Sequence, residues 1–350
     1  MVSGEKNSRP VVEVCNLRKE FVVSKQESRV AVAGIDFTIQ PGEFVGYAGP
    51  NGAGKSTTVK ILTGILRPTV GKVIVAGLQP WQDYPFRLSD WRSRWIQWRC
   101  GRGVRQELAR RTGVVFGQRS SLWWELPLRE SFDLVRDLYQ VPAEVARRRL
   151  AALNEALNLG PLLNQKVSTL SLGQRMRAEI AAAVLPRPAV LFLDEPTIGL
   201  DVEAKATVRQ VLRELNAREG TTILLTTHDL DDITALCRRL MVIDRGRLIY
   251  DGTVEGLRNT YSTERVLVVD LLDPPGDFRV SGATVIRAEG ARRWLSFPRD
   301  ASAAALVERV LAAYQVADLT LEEPQLEDVI RRMYRGELTG LGEKSAGPAR

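Results

Sequence analysis

The chain has 350 residues, of which 44% are hydrophobic and 26% charged, and its formal net charge is +7. This length allows one large and one small domain, whereas no segment reaches the roughly 20 consecutive apolar residues that span a bilayer, and the polar start lacks the apolar core of a signal peptide. We therefore expect a soluble, cytoplasmic chain, and its positive charge, spread along the sequence as arginine, does not by itself indicate nucleic acid.

Two segments near the N-terminus predict an antiparallel β-layer. Residues 11–14 and 30–39 have the apolar and β-branched residues of strands, and a polar turn around residues 24–28 joins them.

A glycine-rich segment follows a predicted strand, residues 42–48, and precedes a predicted helix, residues 55–63. The segment consists of Gly49, Pro50, Asn51, Gly52, Ala53, Gly54, Lys55, Ser56 and Thr57. Backbone N–H groups of such a loop surround the oxygens of a polyphosphate, and a Cβ at the glycines would obstruct this approach. Lys55 is then placed to reach the β- and γ-phosphates, and Ser56 to hold Mg²⁺. The sequence therefore predicts a phosphate-binding loop.

Phe21 lies at the exit of the first predicted strand, upstream of this loop. An aromatic ring in this position can stack on the adenine of a bound nucleotide. An aromatic residue after a strand is also commonly a core residue, so both interpretations stay open.

After a short predicted strand at residues 71–77, residues 88–111 are rich in arginine and tryptophan. Leu88, Trp91, Trp95 and Trp98 are spaced so that they line one face of any helix formed there. Such a helix either packs on the protein's own core or lies on a membrane surface or a partner. Our hypothesis is an accessory contact with a membrane partner or anionic headgroups, separate from the phosphate site.

The following residues alternate between helical and strand patterns. Apolar residues recur at helical spacing over 128–159, and apolar runs follow at 189–193, 221–226 and 240–243. Continuous apolar runs separated by helices are typical of parallel strands buried on both faces. We predict an α/β fold class: a P-loop NTPase core with a parallel sheet, an antiparallel β-layer and an inserted helical subdomain, about residues 119–185.

Asp194 and Glu195 follow the first of these apolar runs, and His228, the only histidine of the chain, follows the second. Parallel strands present their carboxyl ends at one edge of a sheet, so these side chains are expected beside the phosphate-binding loop. Asp194 would bind Mg²⁺, and Glu195 would polarise a water for attack on the γ-phosphate. The alternatives are a solvated strand end for the two acids and a structural role for His228.

Six motifs, in the family's order, make residues 11 to about 256 resemble the nucleotide-binding subunit of an ABC transporter. Residues 49–57 match its Walker A motif, Gln118 its Q-loop glutamine, and residues 170–174 its signature motif. Residues 191–195 match its Walker B strand, residues 199–201 its D-loop, and His228 its switch histidine. The sequence departs from the family at Leu172, where the signature motif usually has glycine.

The resemblance implies a head-to-tail dimer, of two copies or of this chain and a homologous subunit, that binds ATP and Mg²⁺. It assigns nucleotide binding to the Walker A residues, Ser171, Gly173, Gln174 and Asp201. It also implies catalytic roles for Glu195, His228 and Gln118, and Mg²⁺ ligation by Ser56, Gln118 and Asp194. ATP binding would close the dimer, and hydrolysis would open it and drive a separate transmembrane permease. The chain would then be peripheral on the cytoplasmic face of the membrane.

Residues 262–335 predict a separate small α+β domain beyond an ATP-binding domain at residues 11–258. Strand patterns at 266–271, 284–287 and 294–297 precede a helix at 301–314, a strand around 319–321 and a helix at 326–334. Residues 323–330 resemble the C-terminal extension of ATPase subunits in the drug-resistance class of ABC exporters. The polar residues 1–10 and 336–350 predict tails, the second of them disordered.

Three functions stay open: the ATPase subunit of an exporter, the energising subunit of an importer, and a soluble ABC ATPase that acts on ribosomes or DNA. The C-terminal resemblance favours export. The third function usually needs two ATPase cores in one chain or a long coiled coil, and the sequence shows neither. We therefore expect no nucleic-acid partner.

Overall fold

In the computed structural model of the protein, the described residues are 9–22, 24, 27–81, 103–117, 120–261, 264–273, 275, 277–322 and 326–334. The contacts divide the chain into two compact units, Met1–Asp251 and Gly252–Arg350. Gln118 lies outside the described residues, as do Leu88, Trp91, Trp95, Trp98 and the predicted tail 336–350. The hypotheses on these residues stay predictions. Within the described ranges, no helix combines the length and the apolar character that a membrane crossing requires.

The strands are β1 (Val12–Val22), β2 (Ser28–Ile39), β3 (Phe44–Ala48), β4 (Val70–Val75), β5 (Thr112–Phe116), β6 (Val190–Asp194), β7 (Thr222–Thr226), β8 (Arg239–Asp244), β9 (Arg247–Thr253), β10 (Glu264–Leu271), β11 (Thr284–Glu289), β12 (Arg292–Pro298) and β13 (Val316–Glu322). The helices are α1 (Lys55–Leu62), α2 (described over 103–111), α3 (Leu128–Leu138), α4 (Ala143–Leu157), α5 (Leu172–Val184), α6 (Val202–Glu219), α7 (Leu230–Leu236), α8 (Val254–Tyr261), α9 (Ala303–Ala313) and α10 (Leu326–Tyr334).

A six-stranded sheet of order β5-β6-β7-β3-β8-β9 lies in the first unit. The neighbouring strands from β5 to β8 in this order are parallel. Every residue of β3 and β7 is buried, as are the first four of β6. The predicted parallel sheet, buried on both faces, is confirmed. Because β3, β6 and β7 are parallel neighbours, the loops that follow them meet at one edge of the sheet.

A second, antiparallel sheet of order β2-β1-β4 packs its apolar residues into the core of the same unit. The first strand is longer than the sequence predicts. The pairing shifts register between Val14 and Leu17, where Asn16 has a left-handed φ of 45°, and the ladder with β2 then resumes. Asparagine tolerates this conformation, so the strand bends without ending. Phe21 consequently lies inside β1, directly opposite Arg29 of β2.

The predicted helical block contains α3, α4 and α5. The last of these begins at Leu172, because Ser171 caps it. The Ser171 hydroxyl accepts a hydrogen bond from the N–H of Gln174 at 3.3 Å, and the Gln174 side chain accepts one from the N–H of Ser171 at 2.9 Å. This reciprocal capping box fixes the first turn of α5.

The second unit contains a four-stranded antiparallel sheet of order β11-β12-β10-β13. Its core joins Leu267, Val269, Leu295 and Phe297 of the sheet to Leu306 and Val310 of α9. These elements confirm the strands and helices predicted for residues 266–334. Helix α9 begins at Ala303, two residues after the predicted start, because the Ser302 hydroxyl accepts a hydrogen bond from the N–H of Ala305 at 3.3 Å.

Candidate active site

A cleft of about 920 Å³ opens in the first unit, at the sheet edge where β3, β6 and β7 end. Of the predicted site residues, its walls contain Phe21, most of the glycine-rich loop, Asp194, Glu195 and His228. These residues come from four separate segments of the sequence. Their convergence in one cleft agrees with the expectation from parallel strand ends.

Close packing of the backbone explains why two positions of the loop, Gly54 and Gly49, are glycine. Gly54 is the N-cap of α1 with a left-handed φ of 113°, and a Cβ on it would stand 2.5 Å from the carbonyl oxygen of Ala31. A Cβ on Gly49 would stand 2.4 Å from the carbonyl oxygen of Ile243. Both glycines are therefore required by close packing of the loop on β2 and β8, in addition to the clearance that a phosphate needs.

Lys55 is 6% exposed, and its ammonium is held by the loop itself. The Nζ atom donates to the carbonyl oxygens of Gly49 at 2.6 Å and Pro50 at 3.3 Å. Burial lowers the pKa of Lys55, and the nearby carboxylates of Glu195 and Asp194 oppose this shift. A phosphate bound by the loop would add negative charge beside the ammonium and favour its charged form.

Asp194 lies at the end of β6 and is fixed by two hydroxyl groups. Its Oδ1 atom accepts hydrogen bonds from Ser56 at 3.0 Å and from Thr226 at 2.5 Å. The predicted magnesium residues Ser56 and Asp194 are thus in contact. A hydroxyl and a carboxylate fit Mg²⁺, which takes few protein ligands and completes its shell with phosphate and water oxygens. Sequence reasoning missed Thr226; its signal is a polar residue at the end of an apolar strand that neighbours β6.

Glu195 and His228 form a pair across the ends of β6 and β7. Oε2 of Glu195 lies 2.7 Å from Nδ1 of His228. The backbone of Glu195 is left-handed, with φ 57°, and its N–H donates to the carbonyl oxygen of Thr226 at 2.9 Å. This hydrogen bond places the side chain over the cleft, where it is 20% exposed. The residue predicted to activate water and the predicted switch histidine therefore belong to one hydrogen-bonded pair.

The segment that leads to Gln118 packs against the backbone of Asp194 and Glu195. The N–H of Gly117 donates to the carbonyl oxygen of Asp194 at 2.8 Å, and a Cβ on Gly117 would stand 2.3 Å from the carbonyl oxygen of Glu195. Beyond it, Ser121 donates its N–H at 3.0 Å to the buried carboxylate of Glu179 on α5. The segments on either side of Gln118 are therefore fixed to β6 and to α5.

Comparison with known proteins agrees with this geometry. The sequence model described as ABC transporter matches residues 32–198. Daunorubicin resistance ATP-binding protein DrrA3 of Streptomyces coeruleorubidus is 34% identical over 308 residues, which are 85% of this chain and 89% of that protein. The chain belongs to the ABC transporter family. It is an ABC-type ATPase subunit, homologous to the ATP-binding proteins of exporters.

One further relative and one solved structure support the assignment. Nod factor export ATP-binding protein I of Burkholderia pseudomallei (strain 1710b) is 38% identical over 231 residues, 66% of this chain and 68% of that protein. A solved structure described as a dimeric bacterial ABC transporter cassette has a TM-score of 0.59 at 25% identity and covers 69% of this chain and 98% of its own. The α/β P-loop NTPase fold class is confirmed.

The residues predicted as the signature motif do not line the cleft that contains the phosphate-binding loop. Ser171, Gly173 and Gln174 are absent from its walls. Leu172, the departure from the family motif, packs against the predicted D-loop: its Cδ2 atom is 2.8 Å from the position that a Cβ on Gly199 would take. Asp201 caps α6 by accepting the N–H of Ala204 at 2.7 Å.

A buried carboxylate joins the loops after β6 and β7. Asp232 on α7 is fully buried; it accepts a hydrogen bond from Nε of Arg209 on α6 at 2.6 Å and another from the Thr197 hydroxyl. A second pair between the same helices joins Lys205 and Asp229 at 2.6 Å. These contacts hold the segment after Glu195 against the helix that follows His228.

We expect the Asp232→Ala variant to be destabilised by about 3–5 kcal/mol, because it leaves the Arg209 guanidinium without its carboxylate. Urea unfolding of the purified protein measures the loss as a lower transition midpoint. The control is Asp231→Ala, an exposed neighbour on the same helix, whose midpoint should stay close to wild type. Equal midpoints for the two variants would contradict the role given to the buried pair.

Proposed function

We propose that this protein energises a separate membrane permease for export, as one half of a head-to-tail ATP-binding dimer. The names of the relatives support export: one is a daunorubicin resistance protein and another a Nod factor export protein. These names agree with the C-terminal resemblance to drug-resistance exporters. The importer alternative would use the same ATP chemistry with a different permease.

The observation that carries the dimer proposal is the position of the signature helix. Ser171 is exposed at the N-terminus of the 13-residue helix α5, and the intramolecular cleft does not contain it. A helix N-terminus carries partial positive charge and unpaired N–H groups that favour an anion. A triphosphate bound in the cleft of a second subunit supplies that anion.

In the proposed site, each residue has one task. The Walker A loop and Lys55 bind the β- and γ-phosphates, and Ser56 and Asp194, with Gln118, hold Mg²⁺. The bound ion neutralises charge that develops on the phosphate oxygens. Glu195 polarises the attacking water.

His228 contacts the γ-phosphate through its second ring nitrogen. Its Nδ1 atom already lies at Glu195, so only Nε2 is left for the phosphate. The ring would then bridge the carboxylate of Glu195 and the γ-phosphate.

Mixing two inactive variants tests whether the site is shared between subunits. We expect Lys55→Ala and Ser171→Arg to be inactive separately, because each variant damages both sites of its own dimer. In a mixed head-to-tail dimer, one site combines the intact Lys55 of one subunit with the intact Ser171 of the other. ATP turnover of the mixture should therefore exceed that of either variant alone.

The matched control mixes Lys55→Ala with Glu195→Gln. Both residues line the same cleft, so each site of that mixed dimer keeps one defect and turnover should stay low. No recovery in the first mixture, or equal recovery in both, would contradict the proposed dimer.

A further inference from the structure

Arg29 is a cleft residue that the family motifs leave without a role. It lies on β2 and lines the cleft together with Ala31, two positions further along the same strand. Side chains two residues apart in a strand share one face. The carbonyl oxygen of Ala31 is packed against Gly54, and the N–H of Ala33 donates to the carbonyl oxygen of Gly246 at 2.8 Å. The strand that carries Arg29 is therefore fixed to the phosphate-binding loop.

The guanidinium of Arg29 is close to this loop. Its Nη2 atom is 3.5 Å from the position that a Cβ on Gly52 would occupy. Among the described residues, no carboxylate lies within ion-pair distance of Arg29, whereas Arg18 on the paired strand bonds to Glu20. Lys55 is enclosed by loop carbonyls, as described above. Besides Lys55 and Lys60, the cleft thus contains a further cation, Arg29, whose charge is not neutralised by a side chain of the described chain.

Phe21 and Arg29 belong to one rung of the β1–β2 ladder. The ring of Phe21 has Lys19 as its cation partner, with Nζ 5.0 Å from the ring centroid, whereas the guanidinium of Arg29 is beside Gly52. A planar guanidinium with several donors is suited to bidentate contact with phosphate oxygens. We infer that Arg29 binds the polyphosphate of the nucleotide from the β2 side, while Phe21, on the same rung, carries the base. This inference rests on the proposed ATP site.

The test is a binding titration of the purified full chain with MgATP, MgADP and adenosine, the last by competition against a fluorescent ATP analogue. We expect Arg29→Ala to raise the Kd of MgATP and MgADP by about tenfold or more, the usual effect of losing a hydrogen bond to a charged group. The Kd of adenosine should stay unchanged. The dependence of log Kd for MgATP on log salt concentration should also become less steep. Arg29→Lys should recover part of the affinity, since it keeps the charge without the bidentate donors.

Arg18→Ala is the matched control, because Arg18 is an exposed arginine on the adjacent strand and outside the cleft-lining set. It should bind all three ligands as the wild type does. An unchanged Kd of MgATP in Arg29→Ala would overturn the inference. An equal loss of adenosine would also overturn it, because the arginine would then act on the base. Absence of MgATP binding by the wild-type chain would instead contradict the proposed function itself.

Discussion

We expect the ATP turnover rate of the Lys55→Ala variant to fall by at least about two orders of magnitude. A loss of this size is usual when one preorganised charged contact to a reacting group is removed. Lys55 is the cation enclosed by the phosphate-binding loop: it is buried, it bonds to the carbonyl oxygens of Gly49 and Pro50, and burial lowers its pKa. No other lysine of the described loop residues can take its place, because the loop closes around this one position. Phosphate release under saturating MgATP measures the effect.

The control for charge is Lys72→Ala on β4, an exposed lysine of the same unit whose loss should leave turnover unchanged. Thermal unfolding of both variants separates loss of chemistry from loss of fold, since Lys55→Ala also leaves two loop carbonyls without a donor. Turnover near the wild-type rate in a folded Lys55→Ala variant would contradict the assignment of the loop as an ATP site.

The features that the sequence predicted well are those carried by consecutive residues. The strand, glycine-rich loop and helix around Lys55 form one continuous segment, so their order alone indicates a phosphate site. Asp194 could be placed beside Ser56 because parallel strands present their carboxyl ends at one edge. Their hydrogen bond at 3.0 Å agrees with that argument.

The features that the sequence could not give depend on contacts between distant residues. Thr226 reaches Asp194, and His228 reaches Glu195, only because β7 is the strand next to β6, an order that periodicity does not encode. Arg29 is one arginine among many until the register of β1 and β2 places it opposite Phe21. That register depends in turn on the left-handed Asn16, which the strand pattern does not reveal.

The burial of Asp232 is another feature that could not be predicted from the sequence. Nothing in the sequence marks Asp232 as buried, since acidic residues are rarely fully buried without a partner. Its partners, Arg209 and Thr197, lie 23 and 35 positions away. Only the packing of α6 against α7 explains why this carboxylate is tolerated inside the protein.

We expect the Glu195→Gln variant to bind MgATP as the wild type does but to hydrolyse it at least about a hundredfold more slowly, the usual loss when a general base is removed. The amide has nearly the same shape as the carboxylate and can still accept a hydrogen bond from Nδ1 of His228, so the cleft should keep its geometry. What is lost is the basicity that activates water. Binding without hydrolysis removes the step that reopens the dimer, so an ATP-bound dimer should accumulate.

Size-exclusion chromatography of the Glu195→Gln variant with and without MgATP measures that dimer. The control is the Glu144→Gln variant, which changes an exposed glutamate on α4 and should return to the monomer after turnover. The double variant Lys55→Ala/Glu195→Gln should not dimerise, because closure needs the bound triphosphate. If the dimer forms only on the permease, the same comparison applies to tagged chains recovered from detergent-solubilised membranes, where MgATP should increase the amount of membrane protein retained by Glu195→Gln. Monomer in both settings, with MgATP bound, would contradict a dimer held by ATP, and it would leave the exposed N-terminus of α5 without its proposed anion.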